Sequence, residues 1–266
     1  MPMVSSSDGT PVWFSDSAGD GPAVVLLHGY SMTSVSNFEV SYGPGADGRV
    51  GPTDAPSLHR RLLDAGARVV GVDARGHGRS GKSDDPGRYR GDAQANDVAA
   101  VIDELGVESV DIVGYSMGAF TAMRLFGFDT GLRSVSLCGS GPPSIDGARG
   151  PHLLTIADCF RHGTWNEHPE MKVWRAQARL DSEHDFLSLA ASAEGHEDPP
   201  VERLAKAACP VLVLNGGDDD GGGRAAALAA LIPGARAAVV GHANHAMACS
   251  DEAFQSAVVD FVTSNW

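Results

Sequence analysis

The chain has 266 residues, 42% of them hydrophobic and 20% charged, and its 34 acidic against 20 basic side chains give a formal net charge of −14. That apolar share supports a packed core and excludes a disordered chain or a disulfide-stapled miniprotein, while the length suits one large α/β domain. The acidic balance argues against nucleic acid or an anionic membrane surface as partner, because both call for a basic face.

The predicted elements begin with a hairpin over Val4–Asp16, turning at Asp8-Gly9. Short apolar runs then recur at Ala23–Leu27, Arg68–Val72, Ser109–Val113, Ser134–Cys138, Val211–Asn215 and Arg236–Val240. Runs without polar alternation fit parallel strands covered on both faces. Helical patterns lie between them at Ser57–Ala65, Asp92–Leu105, Met117–Phe126, Arg224–Leu231 and Asp251–Val262. In Asp92–Leu105 the stripe is Val98, Val101, Ile102 and Leu105. Alternating strands and helices predict a mostly parallel, doubly wound sheet.

Two stretches break this rhythm. Residues 39–56, rich in glycine and proline, read as a long loop placed to form one wall of a pocket. Residues 140–204 hold helical pieces at His152–His162, Met171–Leu180 and Glu183–Ala193 without a convincing core strand. They read as a helical cap inserted into a core made of residues 1–139 and 205–266. Cap residues Phe160, Trp165, Trp174 and Phe186 are the candidates for lining a substrate pocket, with packing of the cap onto the core the competing use for two of them.

The four cysteines, Cys138, Cys159, Cys209 and Cys249, are scattered without a C-x-x-C pair and predict reduced thiols. No apolar run approaches the roughly 18–20 residues that a membrane span needs. The N-terminal segment lacks the basic start and apolar centre of a leader, so the expected location is cytoplasmic. No histidine or carboxylate pair has ligand spacing, and neither a metal nor another cofactor is expected.

The strongest chemical signal is Gly114-Tyr115-Ser116-Met117-Gly118, set between a predicted strand and a predicted helix. A sharp turn there presents the Ser116 hydroxyl at the mouth of the sheet, beside a helix N-terminus that favours developing negative charge. A serine hydroxyl is a poor nucleophile at neutral pH and needs a base, itself oriented by an acid. His245, in G-H-A-N-H-A-M between the last strand and last helix, is the preferred base over His242. V-L-V-L-N-G-G-D-D-D supplies the acid, with Asp219 preferred, then Asp218, then Asp220. His28 and His77 read as structural, His28 bracing its loop through a hydrogen bond.

With these landmarks in order, the chain resembles the α/β-hydrolase superfamily from about residue 10 to 263. They are H-G-Y at 28–30, D-A-R-G-H-G-R-S at 73–80, G-Y-S-M-G at 114–118, N-G-G-D-D at 215–219, I-P-G-A-R at 232–236 and A-N-H-A at 243–246. The order Ser, Asp, His is that superfamily's own. The resemblance implies Ser116, Asp219 and His245 as catalytic residues, with Asn244 standing where glycine is more usual. It also implies an oxyanion hole made by the backbone N–H groups of Tyr30 and Met117. The expected function is serine hydrolysis of a small or medium carboxylic ester, lactone or related acyl substrate through an acyl-enzyme. The alternatives are a carbon–carbon bond hydrolase, a cofactor-free perhydrolase, or a slow ligand receptor on the same scaffold.

Overall fold

A computed structural model describes residues 2–44, 50–144 and 151–266. The expectations for residues 39–56 and 140–204 therefore fall partly outside the described residues. The chain opens with β1 (Met3–Ser5) and β2 (Pro11–Asp16), then β3 (Ala23–Leu27), a small ribbon of β4 (Ser41–Pro44) and β5 (Val50–Thr53), α1 (Leu58–Asp64) and β6 (Arg68–Val72). It continues through α2 (Ala93–Leu105), β7 (Val110–Tyr115), α3 (Met117–Leu125) and β8 (Leu132–Cys138). Among the described residues α4 (Pro151–His162), α5 (Lys172–Ala178), α6 (Phe186–Gly195) and α7 (Val201–Leu204) follow. The last elements are β9 (Val211–Gly216), α8 (Arg224–Ala229), β10 (Arg236–Val240) and α9 (Glu252–Thr263).

Eight strands form one sheet in the order β1-β2-β6-β3-β7-β8-β9-β10. The leading hairpin joins antiparallel at one edge, and every pair from β6 to β10 is parallel. All five residues of β3 are buried, as an apolar run without alternation requires of a strand covered on both faces. On one face α2, α3 and α8 bury Val98, Ile102, Ala122, Met123 and Leu228 against the sheet. On the other, α1 and α9 bury Leu58, Leu62, Phe254, Val258 and Phe261. Side chains fix several helix ends: Ser57 Oγ accepts from Arg60 N at 3.2 Å to start α1, and Asp251 Oδ1 accepts from Phe254 N at 2.9 Å to start α9.

The chain leaves β3 to build β6 on one side and later returns to place β7 on the other. This reversal opens a crevice beyond the carboxyl ends of β3 and β7, where doubly wound sheets bind ligands. Leu27 pairs with Gly114 across it, so His28-Gly29-Tyr30 and Tyr115-Ser116 emerge side by side. A third apolar cluster lies above these ends, where Tyr30 and Met117 meet Ile156, Phe160 and Leu189 of α4 and α6.

One loop expectation is corrected. Within residues 39–56, β4 and β5 pair antiparallel, Ser41 opposite Thr53 and Gly43 opposite Gly51. The ribbon is tied by Tyr42 N to Ser250 Oγ at 2.9 Å and by Ser41 Oγ to Pro56 O at 3.1 Å. Backbone pairing and these tethers, rather than a buried apolar face, hold it, so no hydrophobic pattern announces it. It packs beside the segment that follows His245, and none of its described residues lines the main cavity.

Candidate active site

Ser116 stands between β7 and α3 with φ +53° and ψ −112°. Only two other non-glycine residues among those described, Ala18 and Ser31, have positive φ. A conformation of this kind costs on the order of 1–3 kcal/mol and persists only where the surroundings enforce it. The enforcement is close backbone approach. A Cβ on Gly114 would collide with the Gly118 carbonyl, and a Cβ on Gly118 would collide with the Leu27 carbonyl. The Ser116 N–H donates to Cys138 O at 2.8 Å, pinning the turn to β8. Met117 is the first residue of α3, so its N–H has no partner within the helix.

The loop after β10 brings His245 onto this serine. Ser116 Oγ and His245 Nε2 are 3.0 Å apart, and His245 Nδ1 and Asp219 Oδ2 are 2.9 Å apart. A carboxylate can only accept here, so Nδ1 carries the imidazole proton and Nε2 keeps its lone pair for the serine hydroxyl. The Asp219 side chain is 7% exposed and that of His245 36%. Asn244 Oδ1 accepts from Ala246 N and Met247 N at 3.0 and 3.2 Å, a side-chain turn that shapes the loop where glycine is more usual.

The other candidates fall elsewhere. Asp218 and His242 are exposed. Asp220 Oδ1 accepts from Asn215 Nδ2 at 2.9 Å and from Ala225 N at 2.7 Å, fastening the turn into α8. Glycines keep the acid and histidine loops close, for a Cβ on Gly216 would collide with Ala243 O.

His28 and His77 lie beneath the crevice and are buried. Ala74 N donates to His28 Nε2 at 3.0 Å, while His28 Nδ1 donates to Gly29 O at 2.8 Å. These bonds join the Tyr30 loop to the end of β6. Burial pushes the His28 imidazole below its usual range and His77 well below it, so both are neutral. The His77 ring lies 5.5 Å from Tyr30 and 5.7 Å from His184. Tyr30 is held from above as well, its hydroxyl donating to Leu189 O on α6 at 2.8 Å.

Ser116 opens into a cavity of about 420 Å³ lined by Tyr30, Met117, Phe120, Trp174 and His245 among others. Of the four aromatics expected from residues 140–204, Trp174 lines it. Phe160, Trp165 and Phe186 do not. They pack edge to face around Phe160, with centroids 4.9 Å from Trp165 and 5.1 Å from Phe186. Their contribution is an apolar support behind the wall, which corrects the expectation of direct lining.

The lining residues that sequence reasoning missed include Phe120, His152, His196 and Arg224. Phe120 had a legible signal, since it lies one helical turn beyond Ser116 and shares its face. Arg224 follows Asp219 by five residues, and its Nη1 reaches Asp219 O and Oδ1 at 3.3 and 3.4 Å. Nothing in the pattern near His152 or His196 points to the cavity.

The profile of a family described as alpha/beta hydrolase fold matches residues 22–173. A non-heme haloperoxidase from Rhodococcus erythropolis is 34% identical over 127 residues, 47% of this chain and 38% of that protein. A bifunctional esterase/perhydrolase from Acinetobacter calcoaceticus is 34% identical over 119 residues, 44% of this chain and 36% of that protein. The matched part therefore spans well under half the length of each relative. An esterase from Exiguobacterium antarcticum has a similar fold, with TM-score 0.72, 22% identity and 98% of both chains covered.

Proposed function

The chain belongs to the alpha/beta hydrolase fold family, and on that premise we propose that it is a serine hydrolase of small or medium carboxylic esters or lactones. The observation that carries this reading is the unbroken chain of contacts from Ser116 Oγ to His245 to Asp219, 3.0 and 2.9 Å long, opening into a cavity with apolar walls.

In this reading Ser116 Oγ attacks the substrate carbonyl carbon while its proton passes to His245 Nε2. Asp219 holds the Nδ1–H tautomer and stabilises the imidazolium that forms. The N–H groups of Met117 and Tyr30 receive the oxyanion, each donor contributing about 3–4 kcal/mol to the transition state. His245 then protonates the leaving alcohol, and water activated by the same imidazole releases the acid. The helices within 140–204 act as a cap that sets substrate size through Trp174, supported by Phe160, Trp165 and Phe186.

The names of the two relatives, haloperoxidase and esterase/perhydrolase, favour perhydrolysis as a second reading. The acyl-enzyme would be the same. Hydrogen peroxide in place of water would take the acyl group, giving a peracid and free Ser116.

A panel of p-nitrophenyl esters of increasing acyl length and simple lactones, with and without hydrogen peroxide, tests both. Turnover by the wild type, lost by about 10³-fold or more in Ser116→Ala, is the expected result. Absence of turnover across the panel, or equal turnover by Ser116→Ala, overturns the hydrolase reading and favours a ligand receptor.

A further inference from the structure

The cavity carries one feature that ester cleavage itself does not use. Arg224, the first residue of α8, is the sole lysine or arginine among the described residues that line it. Its side chain is 41% exposed, and its contact with Asp219 is long, 3.4 Å through Nη1. Among the described residues, Nε and Nη2 make no hydrogen bond. Gly141 makes room for the group, since a Cβ there would stand 2.9 Å from Arg224 Nε and 3.5 Å from Nη2.

Charge balance gives this arginine a consequence. Asp219 shares its carboxylate between His245, at 2.9 Å, and Arg224, at 3.4 Å. When the Ser116 proton moves to His245, the three groups together carry one net positive charge. A protein of net charge −14 repels anions in general, but counterions screen that repulsion beyond about 8–10 Å. A guanidinium inside a walled cavity acts at shorter range, and its planar fork matches a carboxylate. Beside the polar His152, Ser192 and His196, the apolar lining of Tyr30, Met117, Phe120, Leu153 and Trp174 suits a short hydrocarbon segment between the two polar ends.

We propose that Arg224 selects substrates carrying a carboxylate in addition to the ester or lactone bond, the carboxylate seating on Nε and Nη2. The inference rests on the hydrolase reading and narrows its substrate class to half-esters of dicarboxylic acids, acylated hydroxy acids and carboxylated lactones.

Two matched pairs test it. Monoethyl glutarate against ethyl hexanoate places the anion on the acyl side; 4-acetoxybutanoate against butyl acetate places it on the alcohol side. The expected result is a kcat/KM quotient, anionic over neutral, that favours the anion in at least one pair. That quotient falls about 10-fold or more in Arg224→Gln, with part retained in Arg224→Lys. Gly141→Ala, which displaces the guanidinium without removing its charge, lowers the quotient in the same direction. An unchanged quotient overturns the proposal, including the case in which both members of a pair slow together, because an arginine that only positions Asp219 affects them equally.

Binding separates this outcome from failure of the hydrolase reading. Calorimetric titration of Ser116→Ala with the same four compounds needs no turnover. Weaker binding of the anionic members when Arg224→Gln is added supports the assignment, and equal affinity contradicts it.

Discussion

The hydroxyl of Tyr115 donates a hydrogen bond to the backbone carbonyl of His245, and the two rings lie 5.2 Å apart at 35°. The residue just before Ser116 on β7 thereby holds the loop that carries the proposed base. Phe254 of α9, 6.2 Å away, supports the Tyr115 ring from behind. Ser116 and the His245 loop are positioned by one strand end, so the separation of Ser116 and His245 does not depend on the His245 loop alone. Tyr115→Phe keeps the ring and removes the donor, leaving the His245 carbonyl without that partner. The expected outcome is a kcat lowered about 10-fold with KM little changed, measured on the best ester of the panel. A normal kcat would mean that the loop holds its position without this bond.

Asp219 and Asp220 are adjacent and do different work in this account. Asp219→Asn should lower kcat by several orders of magnitude, roughly 10⁴-fold in related triads, because the amide favours the wrong imidazole tautomer. Asp220→Ala removes the acceptor for Asn215 Nδ2 and Ala225 N, so its expected cost is about 1–3 kcal/mol of stability. His242→Ala, at an exposed position, should leave turnover close to normal. Steady-state kinetics and thermal melts on the three variants check the assignment. A severe loss of kcat in His242→Ala with normal rates in Asp219→Asn would contradict it.

Gly118→Ala tests the tightness of the turn. Its added methyl group meets backbone atoms of Leu27 in the centre of the sheet, and backbone cannot rotate aside as a side chain can. We expect a loss of more than about 3 kcal/mol, seen as a lowered urea midpoint or as failure to accumulate folded protein. A substitution of equal size at Gly91, where nothing lies within 4 Å but φ is +59°, gives a strain-only comparison and should cost about 1 kcal/mol. Equal losses at the two sites would mean that the contact with Leu27 carries no cost beyond that of ordinary strain.

The buried imidazoles predict a pH dependence of stability. Burial holds His184 down to about 4, with His28 and Lys82 nearby adding to the shift and Asp181 and Asp73 opposing it. Above the unfolded value near 6.5, the ring is neutral in both states and costs nothing. Below it the unfolded chain binds a proton that the folded one resists, so stability falls from about pH 6.5 toward pH 4. His28 and His77 act in the same direction. The carboxyls of Asp97 and Asp111, raised by burial, act oppositely. Comparing wild type with His184→Gln isolates the one term. Unfolding free energies from urea titrations at pH 7.5 and 4.5 should differ less in the variant, by at most ~3 kcal/mol, and an identical difference would contradict this reading.

Much of this arrangement was legible in the sequence because hard physical constraints write themselves into residue type. β3 and β6 match their predicted bounds, Ala23–Leu27 and Arg68–Val72, since a strand covered on both faces has no alternative to an unbroken apolar run. Gly114 and Gly118 are legible for the same reason, as no side chain fits at either place. The ribbon of β4 and β5 was not, because pairing without a buried face leaves no periodicity to read. The aromatics of residues 140–204 show a different limit. Composition places Phe160, Trp165, Trp174 and Phe186 in one apolar layer, but the side that each ring turns to the cavity depends on packing between α4, α5 and α6. Arg224 was missed because a lone arginine at a helix start is usually a solvated cation, and only the folding of α8 beside the acid loop brings it to the cavity.

Covalent labelling decides whether Ser116 is the nucleophile. Wild type and Ser116→Ala are incubated with an alkyl fluorophosphonate, and intact mass is read for each. One adduct per wild-type chain is expected, located on Ser116 by peptide mapping and absent from Ser116→Ala. Equal labelling of the two proteins, or a wild-type adduct on another residue, would contradict it.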